Sequence, residues 1–334
     1  MNLAQLYPLT FTPVLKDYIW GGRSLEKLGR VLPPAGVVAE SWEIAGHEDG
    51  TTTVANGPLA GLPLTAVHAQ LGEALIGRRS AWAQARGKFP LLVKLLDASR
   101  PLSVQVHPDD DYALANEGNE LGKTEMWVVL DARPGAEIIL GVRPGTTPAA
   151  FRAALQAGQL EPYLHRLPVQ TGDHVCVPAG SLHAIMGGLL IAEIQQNSNT
   201  TYRVYDWNRL GSDGRPRPLH VDRALDVINF AQTAPTLHPP QPLAAPAGVQ
   251  RWELCRNRYF VTERVVLAEG AAYQGNLDGE TLEIWGLLSG RVAINQVSLN
   301  AVQFALLPAA LGPFTLTAAT PATLLRTFVA PLTP

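Results

Sequence analysis

The sequence predicts a mainly β chain with helical insertions, arranged as two β-rich halves. Three observations carry that reading. Glycine (30) and proline (27) are frequent among the 334 residues and interrupt the apolar runs at short intervals, which favours short strands over long helices. The runs between them have strand length: Phe89–Asp97, Leu102–His107, Glu125–Leu130, Glu137–Leu140, Asp173–Val177, Leu189–Gln195 and Thr201–Trp207. Finally, the composition changes over 231–249, which holds five prolines and almost no charge. Short strands resume after it, at Tyr259–Leu267, Thr281–Leu288, Arg291–Asn295, Phe304–Leu307, Phe314–Thr317 and Ala322–Val329. The expected organisation is a first domain over 1–235, a Pro/Ala-rich linker over 236–249 and a second β domain, sandwich or barrel, over 250–334.

The helical insertions are marked by spacing and by caps. Leu64, Val67, Leu71 and Leu75 recur at three and four residues, so Leu64–Ile76 is expected to be helical. Thr147 followed by proline opens a helix over Thr147–Leu155. Three consecutive aspartates suit the start of a helix over Asp109–Asn116, and Val221–Phe230 is another short candidate.

Bulk properties narrow the function classes. The chain is 46% hydrophobic, enough for a sizeable core, and its formal charge is −3. A nucleic-acid or membrane-surface partner usually shows as a basic excess, and none is present. No apolar stretch reaches the length of a spanning helix. The opening MNLAQLYPLTF is not patterned as a signal peptide. Cys176 and Cys255 form no CxxC pair and are expected to be inert thiols of a cytoplasmic protein.

Three segments carry candidate chemistry. In PLSVQVHPDD (101–110), strand alternation puts Ser103, Gln105 and His107 on one face and Leu102, Val104 and Val106 on the other. Alone, this is an ordinary half-exposed strand. In GKTEMWVVL (122–130), Glu125, Trp127 and Val129 share a face, and a buried carboxylate there would need a partner. GDHVCVPAGSLH (172–183) reads as a strand stopped by Pro178, a glycine-bearing turn, and then His183. Together, Gln105, His107, Glu125 and His183 supply two imidazoles, one carboxylate and one amide oxygen. Zinc accepts such donors, and so do manganese, iron and cobalt.

These segments resemble a known family. Residues 172–183 match the second cupin motif: a glycine, five residues, then Pro-x-Gly-x-x-His. QVHP, with Glu125 in GKTE eighteen residues beyond His107, resembles the metal-binding part of type I phosphomannose isomerases of the short bacterial branch. Tyr18–Gly22 (Tyr-x-Trp-Gly-Gly), AESWEIAGH at Ala39–His47 and IQQNSNTTYRVYDWNR at Ile194–Arg209 resemble the same family. The resemblance implies two tandem cupin jelly-roll barrels, the first catalytic and the second degenerate. The lack of histidine beyond His238 agrees with a second barrel that holds no metal.

The resemblance further implies one Zn2+ per chain, held by Gln105, His107, Glu125 and His183, and isomerisation of mannose 6-phosphate to fructose 6-phosphate through an enediol. Arg203 would stabilise charge on the enediolate. Ser103, Lys94, Lys123 and Arg203 would contact the sugar phosphate. The proton carrier is Glu193, in the otherwise apolar LLIAEIQQN, or Lys123; Glu193 could equally orient a ligand. Tyr18, Trp20, Trp42 and Trp127 could line a sugar pocket but read first as core. His47, His165, His174 and His220 read as structural or surface residues. Two alternatives belong to other classes: a non-catalytic metal-containing cupin that binds a sugar or sugar phosphate, and a cupin oxygenase. An oxygenase usually asks for a redox metal and more histidines.

Overall fold

The computed structural model describes residues 6–211 and 214–331, so residues 1–5 of the opening segment lie outside it. The described chain is mainly β, as expected. It falls into two compact units that are discontinuous in sequence. One takes Met1–Val14, Trp42–Lys94 and Pro239–Pro334, and the other takes Leu15–Ser41 and Leu95–His238.

In the second of these, a five-stranded sheet runs in the order Leu164–Pro168, Glu137–Val142, His183–Ile185, Val104–Val106, Tyr202–Tyr205. In another sheet, His174–Val177, Glu125–Ala132 and Leu189–Gln196 lie side by side with Glu125–Ala132 in the middle. The two sheets face each other across one apolar cluster. Trp127, Val129 and Ile191 come from one side and Leu140 and Ile185 from the other. The back of the five-stranded sheet is apolar too. There Val104, Val106, Ile139 and Val204 pack with Phe151 and Ala224, carried by the helices Pro148–Gln156 and Val221–Val227. A strand buried on both faces still alternates. With Val104 and Val106 turned to the helices, their neighbours Ser103, Gln105 and His107 face the other sheet.

Capping chemistry decides where these helices begin. Thr147 accepts a hydrogen bond from the Ala150 amide at 3.2 Å, and Asp109 accepts one from the Tyr112 amide at 2.9 Å, opening the helix Asp110–Asn116. Two expected helices differ. Leu64–Ile76 is split into Leu64–Leu71 and Glu73–Ile76, because Gly72 (φ 48°, ψ −125°) leaves helical geometry. Val221–Phe230 stops at Val227; Ile228 is extended, and the Asn229 amide donates to the Gly180 carbonyl at 2.8 Å. That bond spans the turn leading to His183.

The other unit is also built of two facing sheets. An eight-stranded sheet runs Gln241–Leu243, Val249–Arg256, Phe260–Leu267, Ala322–Val329, Glu283–Ser289, Gln303–Leu307, Leu9–Thr12, Thr53–Val54. A four-stranded sheet of Ala272–Leu277, Gly312–Ala318, Arg291–Ile294 and Val297–Asn300 faces it, and Trp285, Leu307 and Leu324 meet Phe314, Leu316 and Ile294 in the core. The segment 236–249, expected as a linker, contains the edge strand Gln241–Leu243. Neither cysteine is a free thiol, which corrects the expectation of two inert thiols.

The core of this unit also holds charge. Glu283 and Glu263 are each 3% exposed and both pair with Arg326; Arg251 adds a second cation to Glu263 at 2.8 Å. Removing one partner of such a network leaves an uncompensated buried charge. Arg326→Met is therefore expected to cost about 3–5 kcal/mol of folding stability, read as a lower urea midpoint with an unchanged denaturant slope.

Candidate functional site

Three chain segments meet where the two sheets of the second unit face each other. His183 pairs directly with Gln105 across adjacent strands, and Gln105 pairs with Arg203 on its other side. Residues directly opposite in antiparallel strands share a face, so His183, Gln105 and Arg203 form one row across the five-stranded sheet. On the facing sheet, Glu125 lies between Val177 and Gln195, and Trp127 lies between Val175 and Glu193. The opposing rows bring His107, Glu125 and His183 together. Their donor atoms all lie within 4.8 Å of one another and all three side chains are buried.

The hydrogen bonds around the histidines fix their tautomers. His107 Nδ1 lies 2.9 Å from the Thr200 carbonyl oxygen, and His183 Nδ1 lies 2.9 Å from that of Ser181. A carbonyl only accepts, so each Nδ1 carries the proton and each Nε2 keeps its lone pair. Both Nε2 atoms face Glu125, at 3.2 Å from Oε1 for His107 and 3.9 Å from Oε2 for His183. Burial lowers the pKa of both rings, that of His107 to about 3 with help from the Lys123 ammonium. Neutral imidazoles are thus maintained across the physiological range. Burial alone would raise the Glu125 carboxyl, but the Lys123 ammonium beside it outweighs this and holds it well below the usual carboxylate range.

Two neutral imidazoles and one carboxylate, each oriented from behind, make a donor set that suits a divalent ion. Glu125 Oε1 supports that fit. It is buried and accepts no hydrogen bond, although the Lys123 ammonium lies 2.7 Å away in an ion pair. The same ammonium is 3.2 Å from His107 Nε2. Gln105 stands at the edge of the set, its amide nitrogen 3.4 Å from His183 Nε2 and its oxygen 3.4 Å from the Ser103 hydroxyl.

The other expected residues are placed differently. Glu193 reaches the centre through Trp127, whose indole Nε1 lies 2.9 Å from Glu193 Oε2 and 3.1 Å from Glu125 Oε2. Trp127 also packs edge-on against the His183 ring at 5.4 Å. Its share in the site was not read from the sequence, where it counted as core; the Glu-x-Trp spacing was the available signal. Arg203 donates from Nη1 to the Pro218 carbonyl at 2.9 Å, while its buried Nε has no acceptor among the described residues. Burial and then Arg217 lower its pKa. Lys94 belongs to the other unit, where its ammonium lies 4.9 Å over the Trp42 ring.

A further group went unread. Asp206 is buried and clamps two guanidiniums, Arg209 at 2.5 Å and Arg217 at 2.6 Å. The turn that allows this holds Trp207 (φ 57°) and Asn208 (φ 54°) in the left-handed region, and the Trp207 indole is anchored on the Leu102 carbonyl at 2.7 Å.

Fold and centre together define a mainly β protein in which the facing sheets of one unit bury a His/Glu/His group suited to a metal ion. Comparison with known proteins gives the family. Residues 9–130 match the model of the phosphomannose isomerase type I catalytic domain. The chain is 38% identical over 316 residues to a Bacillus subtilis protein named probable mannose-6-phosphate isomerase GmuF, covering 93% of this chain and 96% of that one. It is 42% identical over 227 residues to the mannose-6-phosphate isomerase of Streptococcus mutans, covering 68% and 69%. The crystal structure of a mannose 6-phosphate isomerase from Bacillus subtilis superposes with a TM-score of 0.85 at 33% identity, covering 96% of this chain and 99% of that one. The chain belongs to the type I phosphomannose isomerase family.

Outer partners of metal ligands typically matter about 10- to 100-fold in affinity. Trp127→Phe removes the shared indole donor and keeps an aromatic core residue. Metal affinity is expected to fall by about that factor with the fold retained, measured by competition against a chromogenic chelator.

Proposed function

We propose that the protein interconverts D-mannose 6-phosphate and D-fructose 6-phosphate through an enediol at the His107/Glu125/His183 centre. The observation that carries this reading is the pair of back-tethered, neutral imidazoles facing one buried carboxylate, in a chain of this family. Zinc is the ion we assign, because two imidazoles and one carboxylate with a position left for solvent or substrate are a zinc donor set. Gln105 is the further ligand; rotating its amide would turn the oxygen toward His183. When bound, the ion supplies a fixed positive charge that polarises the substrate carbonyl.

The surrounding side chains account for the rest of the chemistry. Isomerisation moves a proton between C1 and C2 and develops negative charge on oxygen. Arg203 shares the Gln105 row, and its buried Nε has an unused proton to offer that oxygen. Ser103 and Lys123 line the same face-to-face region and bind substrate oxygens. Glu193 is a positioning residue acting through Trp127, and Lys123, once it has given a proton to solvent, takes the proton from C2 and returns it to C1. Glu193→Gln separates these roles: proton exchange at C2 should persist, and its loss with normal metal content would move the base to Glu193.

The two β units read best as cupin-type sandwiches, the one that contains Glu283 and Arg326 being degenerate. Glu283 and Trp285 repeat the spacing of Glu125 and Trp127, and each tryptophan donates to its own glutamate, at 2.8 Å and 3.1 Å respectively. The register repeats as well. Leu307 faces Glu283 as Val177 faces Glu125, but Arg326 stands opposite Trp285 where Glu193 stands opposite Trp127. A guanidinium thus fills the interior of the Glu283 unit, which supports a copy without a metal. Among the described residues no helix is long and apolar enough to cross a membrane. A sugar phosphate is charged and stays where it is made, which supports a cytoplasmic site of action.

Turnover of mannose 6-phosphate, followed by a coupled assay for fructose 6-phosphate, tests the reading. Activity should disappear with chelator and return with zinc. A zinc-replete protein without turnover would instead be a sugar-phosphate binder. Arg203→Lys is expected to lower kcat by about 10²–10³-fold with metal content unchanged.

A further inference from the structure

One buried polar atom of the site is used neither by the metal centre nor by the proposed chemistry. Gln195 is fully buried, and it sits directly opposite Glu125, on the face that carries Glu193 and looks toward the five-stranded sheet. Its amide nitrogen is fully engaged, donating to the Gln196 carbonyl at 2.8 Å and to the Ser198 carbonyl at 2.6 Å. Its Oε1 accepts nothing among the described residues. Exchanging the two ends of the amide does not relieve this, because oxygen would then face two carbonyl oxygens. The acceptor is therefore fixed in place, held by main-chain atoms, beside the carboxylate of the metal centre. A buried acceptor of this kind costs stability unless a donor arrives.

The unsatisfied atoms around the centre form a pattern. Glu125 Oε1 and Gln195 Oε1 lack donors, and Arg203 Nε lacks an acceptor. The two other orphans already have roles in metal holding and charge stabilisation. The Gln195 oxygen only accepts, so it suits a hydroxyl donor and not a phosphate oxygen, and the cation is already assigned to the His107/Glu125/His183 centre. We infer that Gln195 Oε1 accepts the hydrogen of the C2, C3 or C4 hydroxyl of the bound hexose phosphate and so selects the sugar. This rests on the isomerase reading above. A site built to hydrogen-bond a hydroxyl discriminates strongly against the analogue that lacks it, because the buried partner is then left unpaired.

The test compares inhibition by the 2-, 3- and 4-deoxy analogues of mannose 6-phosphate on the zinc-loaded wild-type enzyme and on Gln195→Met. Wild type should bind one of the three about 10- to 100-fold more weakly than the others. Gln195→Met should lose about the same factor in kcat/KM for mannose 6-phosphate, yet bind that one analogue as wild type does. Equal binding of all three analogues by wild type overturns the inference and needs no variant, so failure of Gln195→Met to fold leaves the test intact. A uniform loss for every ligand in the variant also overturns it, since that is the mark of a merely structural tie. A crystal of the sugar-loaded enzyme with water rather than a sugar hydroxyl on Oε1 would do the same. If wild type does not turn over mannose 6-phosphate at all, the isomerase reading fails first.

Discussion

The rest of the site is organised around a single buried carboxylate. Glu125 lies in the dry space between two sheets, where an isolated negative charge would be very costly. What offsets that cost is the ammonium of Lys123 and the indole N–H of Trp127, while the two imidazole lone pairs that face the carboxylate leave room for a cation among them. Lys123 and Trp127 flank Glu125 on its own chain segment, whereas the two imidazoles come from the five-stranded sheet, so the full donor set assembles only when both sheets are in register. Binding chemistry and folding are thereby coupled through one residue.

The register is maintained from outside. The back of the five-stranded sheet is covered by apolar side chains of two helices, which sets the facing of Val104, Val106 and Val204 and hence that of Gln105, His107 and Arg203. The loop after Gln196 is held by polar groups. The Gln196 side chain bridges the Thr124 amide and Asp110, at 2.9 Å and 3.0 Å, and Ser198 reaches Glu120 at 3.2 Å. That loop ends on the Thr200 carbonyl that orients His107. A run of amides and hydroxyls in the chain thus acts as the mount for a metal ligand.

Much of this was legible because it is local. Strand alternation put Ser103, Gln105 and His107 on one face, and the caps at Thr147 and Asp109 follow from side-chain chemistry within one turn. The centre itself was legible through motif spacing, which stands in for a fold. What could not be read depends on pairing between distant segments. Trp127 bridges two carboxylates only because Glu193 falls opposite it across strands. Leu9–Thr12 finds its partner at Gln303–Leu307, far along the chain, so no window of sequence announces the discontinuous units. Left-handed Trp207 runs against the preference of its residue type, and only the anchoring of its ring explains it.

The turn before His183 is fastened through main-chain atoms: the Gly180 amide donates to the His107 carbonyl at 2.9 Å, and its own carbonyl accepts from Asn229. Such ties do not depend on which side chains surround them. Neighbouring positions are free to diverge over time while the imidazole stays put. Gly180 itself has no such latitude: at φ 84° any Cβ would be strained, and it would press to 3.0 Å from the Val227 carbonyl oxygen at the end of a surface helix.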